Sequence, residues 1–318
     1  MTTKEQVLSL FEENRGTYFS GEDMAKRLGV SRAAIWKAVN GLRQDGYAVD
    51  AVTNKGYCLS ENTDILSATG IQGYWKDSNI RLEIEDTVCS TNTLVRERAN
   101  RGEVEGYVLL ANEQTEGKGR TNRFFYSPKN TGVYLSVLLR PQRAITAMTT
   151  MAAAAMCEAI HEVSGRDAKI KWVNDIFVNE KKVCGILTEG AFGMETGQLE
   201  YAVLGVGVNL YPPVDGFPED LREIAGAVFE KSGGDQKNRL VASFLRRFFR
   251  YYRADDQTAY IEAYRAESMV VGKKITVVSP VGEYSARAIG IDNQCRLQVQ
   301  YEDGTCETLS YGEIRVKL

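Results

Sequence analysis

Residues 20–44 read SGEDMAKRLGVSRAAIWKAVNGLRQ, and this stretch sets the architecture of the N-terminal part of the chain. Ser20 precedes Gly21, Glu22 and Asp23, a capping hydroxyl followed by carboxylates where the positive end of a helix dipole favours them. The helix so opened runs to Leu28 and stops at Gly29, which adopts a left-handed closing conformation at no steric cost. Ser31 caps the next helix, Arg32 to about Gln44, in which Ile35, Val39 and Leu42 recur at helical spacing. Two helices joined by a three-residue turn containing Gly predict a helix-turn-helix. A preceding helix offers Val7, Leu8, Leu10 and Phe11. Asp45-Gly46 turns the chain, and residues 47–59, YAVDAVTNKGYCL, read as a short hairpin. The expectation is a winged helix-turn-helix over residues 1–61.

Charge segregates on the same elements. From Ser31 to Arg43 the basic residues Arg32, Lys37 and Arg43 meet no acidic one, and Lys55 sits at the hairpin tip. Cations on a helix of major-groove dimensions and on the wing beside it make Ser31, Arg32, Lys37, Arg43 and Lys55 the candidate DNA contacts. The alternative is a small helical bundle for protein contacts or dimerisation. The whole chain is no polycation: 39 Lys and Arg against 42 Asp and Glu leave −3, so any nucleic-acid affinity must be local.

With 318 residues, 43% of them hydrophobic and 25% charged, the chain has the composition of about two or three globular domains. No apolar run reaches the ~18 residues of a membrane span, and MTTKEQ has no signal-peptide pattern. The six cysteines are scattered without a CxxC pair, which suits reduced thiols and a cytoplasmic location. His161 is the only histidine, so triads and multi-histidine metal sites are disfavoured, no metal ligands are assigned, and a solvated helix position is its ordinary reading.

Residues 66–268 alternate strand-like runs (108–111, 132–139, 169–178, 183–188 and 201–210) with helices expected near 144–163 and 237–266. A mixed α/β domain on a central sheet follows, with no clean βαβ repeat. Residues 272–318 contain only short strands, separated by turns at Ser279-Pro280-Val281-Gly282, Asp292-Asn293 and Asp303-Gly304, the pattern of a small barrel. The fold class is therefore multidomain α+β.

Four weak chemical signals lie in the middle block. In QTEGKGRTNRFFYSP, residues 114–128, Gly117 and Gly119 permit close backbone approach to a ligand, and Lys118, Arg120 and Arg123 favour an anion. It is no phosphate-binding loop of the GxxxxGK[ST] kind, and a solvated surface loop has the same composition. In KIKWVNDI, residues 169–176, alternation puts Lys169 and Lys171 opposite Ile170 and Trp172. A lysine there needs an anion or carboxylate, or else guards a sheet edge. Gly205-Val-Gly207-Val-Asn209 is a strand end where a ligand or neighbouring backbone could come close. Ser90-Thr91-Asn92 could serve only as the N-cap of a helix over 94–99.

Taken in order, STN, QTEGKGRTNR-FFYSP, KIKWVNDI, KKVCGIL-TEG and GVGVNL resemble the biotin protein ligases. With the winged N-terminal segment, the chain looks like the bifunctional group that also represses transcription in response to biotin. The resemblance covers nearly the whole chain, down to an SH3-like C-terminal barrel ending in Tyr311-Gly-Glu-Ile. The family loop commonly reads GRGRxGRxW. Here Lys118 replaces the first arginine, Asn122 the third glycine and Phe125 the tryptophan; asparagine tolerates a left-handed conformation. Val173 stands where the family has proline.

The resemblance implies an ATP-dependent, AMP-forming ligase that makes biotinyl-5′-adenylate and transfers biotin to a lysine of a biotin carboxyl carrier domain. It implies Lys171 and Arg120 as the catalytic cations, and Ser90, Thr91, Asn92, Gln114, Lys118, Gly119, Arg120 and Lys171 as the biotin site. Gly117, Arg123, Phe125, Asn174 and Asn209 fall to the nucleotide, and Mg²⁺ accompanies ATP, held mainly by its phosphates. Loops at 117–123 and 211–221 would order over the adenylate, and operator DNA would be bound by a ligand-promoted homodimer. The rival readings are a lipoate-type ligase and a ligand-sensing regulator that catalyses nothing.

Overall fold

The structure is a computed structural model and describes residues 2–141, 144–193, 195, 197–279, 282–310 and 312–316. The chain forms two compact units, Met1–Ser78 with Lys231–Ser243, and Asn79–Glu230 with Phe244–Leu318.

The first unit holds helices α1 (Thr3–Glu12), α2 (Gly21–Leu28) and α3 (Arg32–Gln44), a hairpin of β1 (Val49–Val52) and β2 (Gly56–Leu59), and helix α4 (Ala68–Tyr74). The Ser20 and Ser31 hydroxyls accept the N–H groups of Asp23 and Ala34 at 3.0 and 3.2 Å, capping α2 and α3. Gly29 closes α2 at φ 66°. A side chain there would meet nothing within 4 Å, so the backbone conformation alone calls for glycine. Val7, Phe11, Met24, Ile35, Val39 and Leu42 bury together with Val49 and Leu59 of the hairpin. Phe19 exchanges backbone hydrogen bonds with Tyr57. The helical periodicity and caps read from the sequence thus give the winged helix-turn-helix with matching bounds for α2 and α3.

A buried polar cluster lies in the same unit. The Arg15 guanidinium pairs with Glu12 at 2.7 Å and with Asp235 at 2.8 Å, and donates to the Thr63 carbonyl. Asn238 donates to Asp235 and to the Ile65 carbonyl. Asp235 is 1% exposed. Burial, with Glu12 adding to it, outweighs Arg15 and lifts its carboxyl to about 7.

The second unit is built on a seven-stranded sheet: β3 (Arg81–Val88), β4 (Tyr107–Gln114), β5 (Gly132–Leu139), β6 (Ala168–Lys171), β7 (Asp175–Val178), β8 (Lys181–Phe192) and β9 (Leu199–Asn209). Its order is β3-β4-β5-β9-β8-β7-β6. Helix α5 (Thr91–Asn100) connects the one parallel pair, β3 and β4; every other pair is antiparallel. Strand β5 is buried at all eight positions, Ser136 included, the nearly continuous apolar run of a strand covered on both faces. Val95, Ala99, Tyr107, Leu109, Leu138 and Val203 pack α5 onto the sheet, and α6 (Ile145–Ser164) lies against β6, β7 and β8. Helices α7 (Gln236–Arg253) and α8 (Thr258–Ala266) follow, the residues of α7 up to Ser243 belonging to the first unit.

Several expectations are corrected. The single strand expected over 169–178 is a hairpin, Lys171 facing Asp175 in register, because residues 172–174 turn the chain; the Trp172–Val173 peptide is cis. The helix expected over 237–266 breaks between Arg253 and Thr258, where Asp256 accepts from the Thr258 N–H. Strand β3 adds to the expected set: Leu82 and Ile84 alternate with charges along it, and with α5 and β4 it makes one βαβ unit.

The C-terminal strands β10 (Lys274–Ser279), β11 (Gly282–Ile291), β12 (Leu297–Tyr301), β13 (Cys306–Leu309) and β14 (Glu313–Val316) form an antiparallel sheet in the order β13-β12-β11-β10-β14. Among the described residues no pairing of β13 with β14 closes it into the expected barrel. Pro280, Val281 and Tyr311, which carried one expected turn and the barrel's final motif, lie outside the described residues. All six cysteines are free. No helix among the described residues is long and apolar enough to cross a membrane.

Candidate active site

The loop that follows β4 closes on itself. The Phe125 N–H donates to the Gly117 carbonyl at 2.8 Å and the Gly119 N–H to the Arg123 carbonyl at 2.7 Å. A Cβ on Gly117 would stand 2.3 Å from the Phe125 carbonyl oxygen. Gly117 is therefore needed for the loop's own return strand, where the sequence pattern suggested approach by a ligand. The left-handed residue is Thr121, at φ 54° and ψ 39°, and not Asn122. A β-branched residue there stores backbone strain.

Glycines of the sheet make room for the side chains of the site. Gly185 and Gly207 face each other across β8 and β9. A Cβ on Gly207 would lie 2.4 Å from the Phe125 ring, and one on Gly205 would lie 2.2 Å from Asn92 Oδ1. The close approach expected at 205–209 is thus made by Phe125 and Asn92, not by neighbouring backbone. Phe125 also meets Tyr134 edge-on, with 6.5 Å between ring centroids.

Ser90 occupies the N-cap position of α5 but makes no side-chain cap. Instead, the Thr91 N–H donates to Gln114 Oε1 at 2.9 Å, and Gln114 Nε2 donates to Ser127 Oγ at 3.0 Å. Ser136 Oγ lies 2.8 Å from Thr91 Oγ1 and 2.5 Å from Asn92 Oδ1. Asn92 Nδ2 donates to Glu189 at 2.7 Å. Ser90, Thr91, Asn92 and Gln114 are all buried.

The cations divide. Lys169 is bound by Glu267 at 2.7 Å and Asp167 at 2.9 Å, and these carboxylates raise its pKa. It is the edge-strand lysine that the sheet order implies, since β6 ends the sheet. Lys171, two residues on, is half-buried and lines the main cavity, its ammonium 5.8 Å from the centroid of Phe177. Arg120 donates to Asn174 Oδ1 at 2.9 Å and to the Gly312 carbonyl at 3.0 Å, while Asn174 Nδ2 donates to the Ile186 carbonyl. Asn209 donates to the Gly226 carbonyl at 3.1 Å.

These groups converge on one cavity of about 1420 Å³, larger than a drug-sized ligand requires. Ser90, Thr91, Asn92, Gln114, Lys118, Gly119, Arg120, Arg123, Phe125, Lys171, Asn174 and Asn209 all line it; Gly117 lines a smaller cavity that shares Lys118 and Arg120. The larger one extends onto Tyr284, Tyr301 and Glu307 of the C-terminal sheet. Among the described residues no group of three or more His, Cys, Asp or Glu is placed to hold a metal ion, so no resident carboxylate cage for Mg²⁺ is found there. His161 is exposed.

In the first unit, Arg32 and Lys37 are exposed on α3. Ser31 is engaged as a cap, and Lys55 stands 5.8 Å from the centroid of Tyr18. Arg43 donates twice to the Val49 carbonyl, at 2.7 and 2.9 Å, tying α3 to β1. Trp36, 60% exposed beside Lys37, joins the candidate face; its one sequence signal is that it lies off the Ile35–Val39–Leu42 stripe. Ser127, Ser136 and Glu189 also join the site. Ser127 and Glu189 lie within the sequence motifs and Ser136 in the strand run 132–139, but nothing in the sequence assigns them a role, because Ser136 and Glu189 meet Asn92 only in the fold.

Comparison with known proteins places the segments of the chain in families. Residues 85–209 match the biotin/lipoate A/B protein ligase family, residues 3–58 an HTH domain, and residues 270–316 the biotin protein ligase C-terminal domain. The bifunctional ligase/repressor BirA of Bacillus spizizenii is 30% identical over 95% of both chains, and that of Bacillus subtilis equally so. The biotin protein ligase from Aquifex aeolicus in complex with biotin and ATP superimposes with a TM-score of 0.62 at 21% identity, covering 74% of this chain and 99% of its own. With both its catalytic and its DNA-binding segments matched along nearly the whole length, the chain belongs to the family of bifunctional biotin protein ligase/repressors.

Proposed function

We propose that the chain activates biotin with ATP and passes it to a lysine of a biotin carboxyl carrier domain, and that its winged unit binds operator DNA in response to the same ligand. The observation that carries the reading is the convergence of Arg120, Lys171, Gln114 and Ser90-Thr91-Asn92, from three separate stretches of sequence, on one cavity. In the first step the biotin carboxylate oxygen bonds to the α-phosphorus, the bond to the β-phosphate oxygen breaks, and pyrophosphate leaves. In the second, the lysine amine attacks the mixed anhydride, loses a proton, and AMP leaves.

The first step brings two anions together, so fixed cations supply the stabilisation. Lys171 serves between carboxylate and α-phosphate, Arg120 holds the adenylate, and Arg123 meets the departing phosphates. Ser90, Thr91, Asn92 and Gln114 offer the hydroxyls and amides that match a ureido ring's one acceptor and two donors. Gly117, Phe125, Asn174 and Asn209 serve the nucleotide, and Lys118 and Gly119 the acid. Mg²⁺ enters with ATP, its charge neutralising phosphate oxygens that themselves hold it. Ser31, Arg32, Lys37, Arg43 and Lys55 meet DNA, with Ser31 and Arg43 holding α3 in place through the cap and the Val49 carbonyl.

The working assembly in this proposal is a cytoplasmic, ligand-promoted homodimer on a palindromic operator, built from domains at 1–61, 66–268 and 272–318, the last a small SH3-like barrel. The test is biotin-dependent exchange of labelled pyrophosphate into ATP, with lipoate as the control acid. Exchange with biotin alone is expected. Exchange with neither acid in folded protein would leave a DNA-binding sensor.

A further inference from the structure

Glu189 stands at the end of a hydrogen-bonded relay whose direction can be worked out by counting protons. A carboxylate only accepts, so the Asn92 amide must turn its Nδ2 toward Glu189, 2.7 Å away, and its Oδ1 toward Ser136. The contact of Ser136 Oγ with Asn92 Oδ1, at 2.5 Å, then takes the one hydroxyl proton that Ser136 has. Ser136 then has no proton left for Thr91 Oγ1, 2.8 Å away, so the Thr91 hydroxyl is a donor within the relay, with Ser136 Oγ and Gln114 Oε1, at 3.1 Å, as its two acceptors. Gln114 Oε1 also takes the Thr91 backbone N–H at 2.9 Å, so Gln114 presents its oxygen to Thr91. Gln114 Nε2 is then directed at Ser127, whose hydroxyl donates to the Phe125 carbonyl. Reversing the Asn92 amide would leave Ser136 facing a donor and Glu189 facing a carbonyl oxygen.

We propose that Glu189 is a positioning residue for recognition of the acid substrate: its carboxylate fixes the Asn92 amide, and through Ser136 makes the Thr91 hydroxyl a donor within the relay, leaving its oxygen as an acceptor toward the cavity. It acts through Asn92 and is assigned no contact with the acid. The enclosure of the relay supports this. Thr91, Asn92 and Ser136 are at most 4% exposed, so little of them meets water, and the amide lies so close on the sheet that a Cβ on Gly205 would stand 2.2 Å from Asn92 Oδ1. A ureido ring has donors and an acceptor in fixed places, so a relay running one way matches it and the reverse does not. The inference rests on the reading of biotin as the acid.

The experiment uses the full chain and three proteins: wild type, Glu189→Gln, which keeps an acceptor oxygen, and Glu189→Leu, which keeps the volume and removes the acceptor. Pyrophosphate exchange gives KM for biotin, KM for ATP and the maximal rate, alongside melting temperature. Glu189→Leu is expected to raise the biotin KM about tenfold or more, on the scale of removing one fixed polar interaction, with ATP KM and maximal rate within about twofold. Glu189→Gln is expected to recover most of the loss. In an Asn92→Ala background, Glu189→Leu should add nothing further. The proposal is overturned if Glu189→Leu leaves the biotin KM unchanged, if Gln fails to rescue it, or if a Leu variant that does not fold is accompanied by a folded Gln variant as impaired for ATP as for biotin. Absence of exchange in the wild type would overturn the reading of the acid itself, and this inference with it.

Discussion

Arg120 donates to Asn174 Oδ1 at 2.9 Å, across 54 residues of sequence. The bond holds the loop cation against the segment that follows Lys171, and the Gly312 carbonyl takes a second proton of the same guanidinium. Asn174 is itself anchored to the Ile186 carbonyl, so the arginine is held in place before any substrate arrives.

Asn174→Ala should therefore loosen Arg120 without removing its charge. Misplacement of a fixed cation costs on the order of tenfold to a hundredfold in rate, so biotin-dependent pyrophosphate exchange should fall by about that much while the melting temperature changes little. Unchanged exchange would show that Asn174 does not position Arg120.

Lys171→Ala removes charge where the carboxylate and α-phosphate meet. Loss of a comparable stabilising donor costs about 10²–10³ in turnover. Adenylation should fall accordingly, with biotin binding measured by calorimetry much less affected. Equal activity would defeat the assigned role, and Lys169, already held by Glu267 and Asp167, would be no substitute.

Arg32→Ala with Lys37→Ala takes two exposed cations from α3. Operator affinity should weaken, and the slope of log affinity against log salt should become shallower by about 0.9 for each phosphate that is no longer neutralised. Ligation should be intact. Parallel loss of both activities would point to a folding defect.

Asp235 makes the stability of the first unit depend on pH. Its carboxyl is raised to about 7 by burial, against Arg15, with Glu12, Tyr74 and Asn238 also facing it. Below about pH 4 the native and unfolded chains both carry the proton. Between that value and 7 the native state keeps a proton that the unfolded chain has released, so stability falls as pH rises through this window. Asp235→Asn should flatten the dependence, by on the order of 2–4 kcal/mol across the window. Urea melts of both proteins at pH 4.5 and 7.5 measure it; parallel pH profiles would rule the assignment out.

Local features were legible where local physics decides them. Ser20, Gly29 and Ser31 bound α2 and α3 because caps and left-handed closure act within one helical turn. Strand β5, apolar but for Ser136 and the Tyr134 hydroxyl, could be read directly because burial on both faces leaves a nearly continuous run. Errors fell where the path of the backbone through a turn decides, which residue type alone does not fix. The chain reverses at 172–174, so that Lys171 faces Asp175 in strand register, and the left-handed position falls on Thr121, one residue before the expected Asn122.

The same division holds for the site. The order and identity of its motifs, with cations on the glycine loop and after Lys169, were determined by the sequence alone, because a residue's charge and hydrogen-bonding capacity need no fold. Which lysine lines the cavity was decided only by the tertiary structure, which gives Lys169 to Glu267 and Asp167 and turns Lys171 inward. So was the use of Gly205 and Gly207 as space for Asn92 and Phe125, and the place of Glu189 at the end of a relay. Hydrogen bonds and steric exclusion act over about 3 Å, and only folding brings residues 92, 136 and 189 that close.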